Sequence, residues 1–295
     1  MAKRLGKRTT VLENDVYIAS FSSAVGPKES EGPLAKYFDK TFQDELLGQN
    51  SFEKAESQLQ KISVSTTLKK AGLSPTDIDM IFAGDLLNQC IGSAYGLREL
   101  EIPFLGLYGA CSTMALSLIL AATAVESGAA EKAVAVTSSH FCSSERQFRF
   151  PLEYGGQRPP TAQWTVTGSG SALLSRTLKG VKVKSYTVGR IVDLDVTDMN
   201  NMGAAMAPDD VKIRPYPKLE GMVFFYTQIN IKGGGYDYFG TSVLDCPLFT
   251  YFITFTKWNI ISGPSPLCSS SAGISCLGLK YSHQNSSILK PHLLT

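Results

Sequence analysis

The chain has 295 residues, enough for one large or two modest hydrophobic cores, and a formal net charge of +2, which gives no electrostatic reason to bind nucleic acid. Its six cysteines (Cys90, Cys111, Cys142, Cys246, Cys268 and Cys276) form no CxxC pair and no zinc spacing, so neither a disulfide framework nor a metal site is expected. No apolar signal-peptide segment follows the basic start, and no uncharged run of membrane-spanning length occurs before the tail, so a reducing, cytoplasmic setting is expected. These averages hide a division near residue 210. Beyond it the chain has three acidic residues and 13 of its 29 aromatics, far less charge than a domain surface normally carries.

Residues 16–21 (VYIASF) predict a first strand, followed by a long loop broken at Gly26-Pro27 and Gly32-Pro33. Loops of that length commonly cover a site or an interface. Ser51 is the expected N-cap of a helix running to about Lys70, with Ala55, Leu59, Ile62 and Leu68 on its inner face and Gly72 closing it. Ser74, Pro75 and Asp77 connect it to a buried strand at 78–83 that ends in Gly84-Asp85. A short helix (93–100), a strand (103–108), a long helix (112–127) and a strand (132–138) follow, and this alternation predicts an α/β domain with a largely parallel sheet. Residues 141–163 read as an irregular insertion rich in charge and aromatics. Two hairpin-like strands, 165–175 and 181–188, come next, then a loop leading into a helix over 193–208. Gly168 and Gly170 lack the GxGxxG spacing of a phosphate loop and read as a strand bend.

The 112–127 helix is apolar on most faces and therefore predicts a buried central element. Cys111 stands at the turn before it, where free helix N–H groups lower a thiol's pKa or hold an anion; the bland alternative is a compact hydrophobe at a tight turn. In parallel sheets ligands gather outside the carboxyl ends of the strands. Three such ends carry polar or reactive residues: Asp85 with Asn88 and Gln89, Cys111 with Ser112, and Ser138-Ser139-His140. They come from successive strands, which makes them neighbours in one crevice. Asp85 has a helix-capping role as its alternative, and His140 that of a satisfied strand-end histidine.

The segments AGDLLNQ (83–89), IPFLGLYGACST (102–113), TSSH (137–140), ERQFRFPLEYGGQRP (145–159), TVTGSG (165–170) and DMNNMGAAMAP (198–208), with the AVGPKESEGPL loop (24–34), resemble the stage V sporulation protein AD family of endospore-forming bacteria, within the thiolase superfamily. The resemblance covers residues 1–208. It implies a thiolase-like N-terminal half: an α/β domain with a five-stranded mixed sheet and a buried central helix. It also implies binding of dipicolinate (pyridine-2,6-dicarboxylate) without turnover, to aid its uptake with calcium into the forespore and so to serve the spore's later germination. The expected ligand-binding residues are Asp85, Asn88, Cys111, Ser112, His140 and Arg149. Arg149, with Arg146 and Arg158, lies among aromatics, the pairing of cations and flat faces that a planar dicarboxylate needs. Asp85 serves on this reading if calcium bridges it to the ligand or if it carries a proton. No other cofactor and no protein-bound metal are expected. Expected partners are membrane-embedded proteins of the same operon, a homodimer is open, and the location is cytoplasmic, peripheral to the forespore inner membrane.

The competing class is a thiolase or ketoacyl-synthase acyltransferase using Cys111 as nucleophile. A thiol needs a base, and the histidine that thiolases supply from a second half has no counterpart motif here. After Pro208 the resemblance stops. Residues 209–295 show no helical or alternating pattern sustained over an element, and their composition suits an out-of-frame translation, with a divergent tail as the alternative. They are expected to form an aberrant, poorly ordered segment in place of a second half.

Overall fold

The computed structural model describes residues 2–32, 34–109, 112–148, 165–193, 222–231 and 234–243. Short strands β1 (Lys3–Leu5) and β2 (Thr9–Val11) precede the long strand β3 (Tyr17–Val25). Then come α1 (Pro27–Ser30), β4 (Lys40–Thr41), α2 (Phe52–Ala71), β5 (Met80–Gly84), α3 (Ile91–Leu97), β6 (Phe104–Leu107), α4 (Thr113–Ser127), β7 (Lys132–Ser139), α5 (Phe141–Phe148), β8 (Gly168–Ser175) and β9 (Val181–Asp193). The described chain ends in a hairpin of β10 (Met222–Ile231) and β11 (Gly234–Val243).

The strands form one mixed sheet of eleven, in the order β1-β2-β9-β3-β8-β7-β5-β6, with β4 beside β3 and the β10–β11 hairpin beside β9. The expected five-stranded mixed sheet is its centre, β3-β8-β7-β5-β6. There β5, β6 and β7 run parallel and β8 is antiparallel to both neighbours. Side chains alternate between two faces, as strand geometry requires. Ile81, Ala83, Val134, Val136 and Leu173 pack with Val64 and Leu68 of α2. Phe82, Ala133, Ala135, Ala172 and Leu174 pack with Met114, Leu118, Ala122 and Val125 of α4. The two long helices thus cover opposite faces of one sheet, and α4 is the buried central helix that its hydropathy predicts.

Helix ends follow the sequence signals. The Ser51 hydroxyl accepts the Lys54 N–H at 3.3 Å, and Gly72 closes α2 in the left-handed region at φ 68°, which glycine adopts without a Cβ clash. Three expectations are corrected. The start of the insertion is helical, not irregular: α5 begins directly after β7, and its first turn buries Ser143 and Ser144 where an aliphatic stripe would otherwise mark a helix. The segment after residue 210 contains two paired strands in place of no element at all. β-branched and aromatic residues in MVFFYTQINI favour an extended chain without strict alternation. The glycines of 168–170 lie in regular β8, paired on both sides, rather than at a bend. The helix expected over 193–208 falls outside the described residues apart from Asp193, which ends β9.

Candidate functional site

Parallel pairing of β5 with β7, in which Gly84 sits opposite Thr137, brings Asp85 and residues 138–140 side by side at one end of the sheet. On the other flank Gly84 pairs with Leu107 of β6. A Cβ on Gly84 would lie 2.3 Å from the Leu107 carbonyl oxygen and 2.4 Å from the Thr113 Cγ2. Only glycine lets the first turn of α4 sit this close on the end of β5. Of the three ends expected to converge, those of β5 and β7 therefore meet, and the start of α4 joins them. Cys111 itself and Arg149 lie outside the described residues, as does Arg158.

Asp85 is buried, and its carboxylate is fully engaged. Oδ1 accepts the Leu87 N–H at 2.9 Å, while Oδ2 accepts the Ser93 N–H at 2.7 Å and the Ser93 hydroxyl at 2.6 Å. It thereby holds the first turn of α3 from outside the helix, whose N-cap position is taken by Cys90, so Asp85 is not itself the N-cap residue that the sequence offered as its alternative. Between the two contacts, Gln89 and Cys90 take left-handed backbone angles (φ 61° and 54°), a strain on the order of 1 kcal/mol or more each. The Cys90 thiol, donating to the Leu107 carbonyl at 3.0 Å, and the Asp85 contacts hold that turn in place. Burial pushes the Asp85 carboxyl above its ordinary range, against the pull of the Ser93 hydrogen bonds. Asn88 and Gln89 stand exposed at the tip of the turn. The Ser112 hydroxyl is spent on the Gly109 carbonyl at 2.6 Å, locking the entry to α4.

His140 is fully buried, with its ring 5.2 Å from that of Phe52. Its Nε2 donates to the Glu45 carbonyl at 2.8 Å and its Nδ1 accepts the Cys142 N–H at 3.2 Å, which fixes a neutral tautomer. Burial holds its pKa below the ordinary value. The Glu45 contact also places the long loop after β3 over the end of β7, as its length suggests. Within that loop Glu29 accepts the Thr167 N–H at 3.3 Å and is pushed up to about 7, first by burial and secondarily by the charge of Glu45.

Beneath these residues α2 inserts two polar side chains, one turn apart. Gln60 Nε2 lies within hydrogen-bond distance of the Gly84 carbonyl (3.0 Å), the Ser93 hydroxyl (2.9 Å) and the Ser138 hydroxyl (2.8 Å). Glu56, with no exposed surface, meets the Ser138 hydroxyl through Oε1 and the Ser143 hydroxyl through Oε2, each at 2.9 Å. Burial, followed by the charge of Asp85, pushes the Glu56 carboxyl up to about 8. Among the described residues no group of three His, Cys, Asp or Glu side chains could hold a metal ion, and no helix is long and apolar enough to cross a membrane.

A family model described as Stage V sporulation protein AD (SpoVAD) matches residues 6–217. The chain belongs to that family. The Stage V sporulation protein AD of Bacillus subtilis (strain 168) is 48% identical over 206 residues, which cover 70% of this chain and 61% of that protein. The chain thus spans about three fifths of that relative's length. Among solved structures it is similar to the priming β-ketosynthase of the R1128 polyketide pathway, at 16% identity and a TM-score of 0.38 over 61% of this chain and 54% of that one. A second is the 3-oxoacyl-[acyl-carrier-protein] synthase III of Aquifex aeolicus VF5, at 14% identity and a TM-score of 0.38 over 56% and 55%.

The SpoVAD-family match takes in every described candidate residue and ends nine residues beyond Pro208, where the resemblance in the sequence stops. The residues that the sequence reading missed in this family member are Glu56 and Gln60. They head a polar row, Glu56, Gln60, Ser63 and Thr67, all buried. Its spacing of four, three and four is that of one helix face. That periodicity was the available signal, but polar residues at helical spacing ordinarily mark a solvated face.

Proposed function

We propose that this SpoVAD-family chain takes part in sporulation by binding dipicolinate and aiding the uptake of calcium-dipicolinate into the forespore, without turnover. The observation that carries the non-catalytic half is the state of His140. It is the histidine beside the crevice, and with one nitrogen donating and the other accepting, its ring has no lone pair to offer a thiol at Cys111. Family membership supports the link to sporulation.

One ligand carboxylate is assigned to the N-terminus of α4, where the helix dipole favours an anion by on the order of 0.3–2 kcal/mol. Calcium arrives as part of the ligand, because both Asp85 oxygens are committed to Leu87 and Ser93. The role of Asp85 is then to hold the turn that presents Asn88. The protein works at the forespore inner membrane beside membrane-embedded partners of its operon.

Titration calorimetry with dipicolinate, with and without calcium, tests the reading. Cys111→Leu fills the space at the helix end and abolishes binding, while Cys111→Ser binds nearly as well as wild type. Asp85→Asn turns its amide N–H toward either the Leu87 or the Ser93 donors, keeping an acceptor for the other, and weakens both ligand forms alike. Unchanged binding by Cys111→Leu places the pocket elsewhere. An acyl adduct on Cys111 that forms from acetyl-CoA and turns over, seen by mass spectrometry, replaces the binding reading with acyl transfer.

A further inference from the structure

The hydrogen bonds of Glu56 and Gln60 make one continuous buried path between two rims. It starts at Asp85 Oδ2, passes through the Ser93 hydroxyl to Gln60 Nε2, and crosses to the Ser138 hydroxyl at the end of β7. From Ser138 it runs to Glu56 Oε1, and from Glu56 Oε2 to the Ser143 hydroxyl in the first turn of α5. The Ser143 oxygen is also 3.2 Å from the His140 carbonyl. One rim is the strained turn that Asp85 holds, with Asn88 at its tip; the other is the start of α5. α2 joins them from below, and neither Glu56 nor Gln60 reaches the surface.

We propose that Glu56 is a positioning residue: through Ser138, Ser143 and Gln60 it ties the turn after β5 to the first turn of α5, and so sets the spacing of the crevice's two rims for the ligand. The proposal rests on the dipicolinate reading above for its ligand, but its geometry stands apart from it.

The carboxyl has two hydrogen-bonding states. With a proton on Oε2, Glu56 donates to Ser143, which passes its own proton to the His140 carbonyl, and Ser138 donates to Oε1; both Glu56 oxygens are matched. Ionised, Glu56 can only accept, so Ser143 must turn its proton inward and release the His140 carbonyl. A second negative charge then stands near Asp85. Among the described residues the titratable groups that bear on Glu56 are Asp85 at the end of β5 and Glu53 on its own helix. His140, at the junction of β7 and α5, stays neutral. The strands facing α2 present Ser22, Ser138 and Ser171, which carry no charge in this range. Loosening therefore follows the ionisation of Glu56 itself.

The test uses the 295-residue chain, wild type, Glu56→Gln and Glu56→Ala, with dipicolinate titrated from pH 6 to 9. In parallel, amide hydrogen-exchange protection is measured over residues 85–93 and 141–148. Both dipicolinate carboxyls are ionised throughout, so the ligand adds no pH dependence of its own. Wild-type affinity is expected to hold to about pH 7.5 and fall about tenfold by pH 9, with protection lost in both segments. Glu56→Gln keeps an acceptor for Ser138 and a donor for Ser143, so it binds within about threefold of wild type at pH 7 and stays flat to pH 9. Glu56→Ala loses about tenfold at pH 7, with lower protection in both segments.

The proposal is overturned if Glu56→Gln shows the same alkaline fall as wild type, or if Glu56→Ala leaves protection of 141–148 unchanged. Should Glu56→Ala fail to fold, the comparison of Glu56→Gln with wild type decides. If wild type binds no dipicolinate at any pH, the ligand reading fails, and with it the affinity arm of the proposal. The exchange arm then upholds the tie, by an alkaline loss of protection that Glu56→Gln abolishes, or overturns it by the absence of that loss.

Discussion

Helices α2 and α4 cover opposite faces of the same sheet and are buried to similar depth, yet they reach that state by different chemistry. α4 presents Met114, Leu118, Ala121, Ala122 and Val125 to its face, and non-directional apolar burial is the main force that holds it there, with Glu126 at its last turn accepting the Glu13 and Asn14 N–H groups. Half of the buried face of α2 is polar: Glu56, Gln60, Ser63 and Thr67 run beside Ala55, Leu59, Val64 and Leu68. Strand serines partner its lower half, with Ser22 donating to the Ser63 carbonyl at 2.6 Å, Ser63 to the Ser171 hydroxyl at 2.9 Å, and Thr67 to the Ser22 hydroxyl at 2.9 Å, while Gln60 Oε1 is left without a partner among the described residues. Apolar packing tolerates many partners, whereas a buried polar row accepts only a register in which most groups are matched. α4 therefore supplies burial beneath the site, and α2 supplies register, at the end of the sheet where the candidate site residues stand.

The largest expected contrast lies in truncation. Leu118→Ala on α4 removes a fully buried side chain and should cost about 2–5 kcal/mol of unfolding free energy in a denaturant titration, without altering its dependence on pH. A cost below about 1 kcal/mol would mean that α4 is not packed as described.

The pH response belongs to the α2 side. Glu56 titrates near its ordinary 4.5 when unfolded and near 8 when folded, so its contribution to stability is whole below 4.5 and is lost as pH rises through 8. Glu29, raised from 4.5 to about 7, acts in the same direction over a lower window. Unfolding free energy should fall between pH 5 and 9 by on the order of a few kcal/mol. Glu56→Gln should remove the fall between about pH 7 and 8 and make the fall between 5 and 7 shallower, leaving the Glu29 part. A wild-type profile that is flat or rises over this range contradicts the buried state of both carboxyls.

The smallest effect is a coupling. Ser63→Ala and Ser171→Ala should each cost about 1–3 kcal/mol by orphaning a buried partner. The double variant should cost less than the sum, with a coupling of about 0.5–3 kcal/mol in a double-mutant cycle. Strict additivity would show that the serine row is incidental packing. The equivalent cycle between Leu118 and Val125 on α4 has no hydrogen bond to couple.

Local pattern alone determined a good deal of this protein. The apolar 112–127 segment could only be a buried helix, and Ser51 and Gly72 could be placed at helix ends because capping is decided within four residues. The alternation of strands and helices fixed the α/β class, and with it the strand ends where Asp85 and His140 meet. What the sequence could not decide was the state of those side chains. From the sequence Asp85 is equally a ligand contact or a cap, and His140 equally a ligand contact or a satisfied strand-end histidine; Ser93 on the second Asp85 oxygen and Glu45, 95 residues away, on the His140 Nε2 decide both. Glu56 and Gln60 carry no signal of their role, because nothing within a helix turn reveals partners on β5, β7, α3 and α5. Only the tertiary structure decides whether a polar group is buried and matched, since hydrogen-bond partners from distant segments leave no local periodicity.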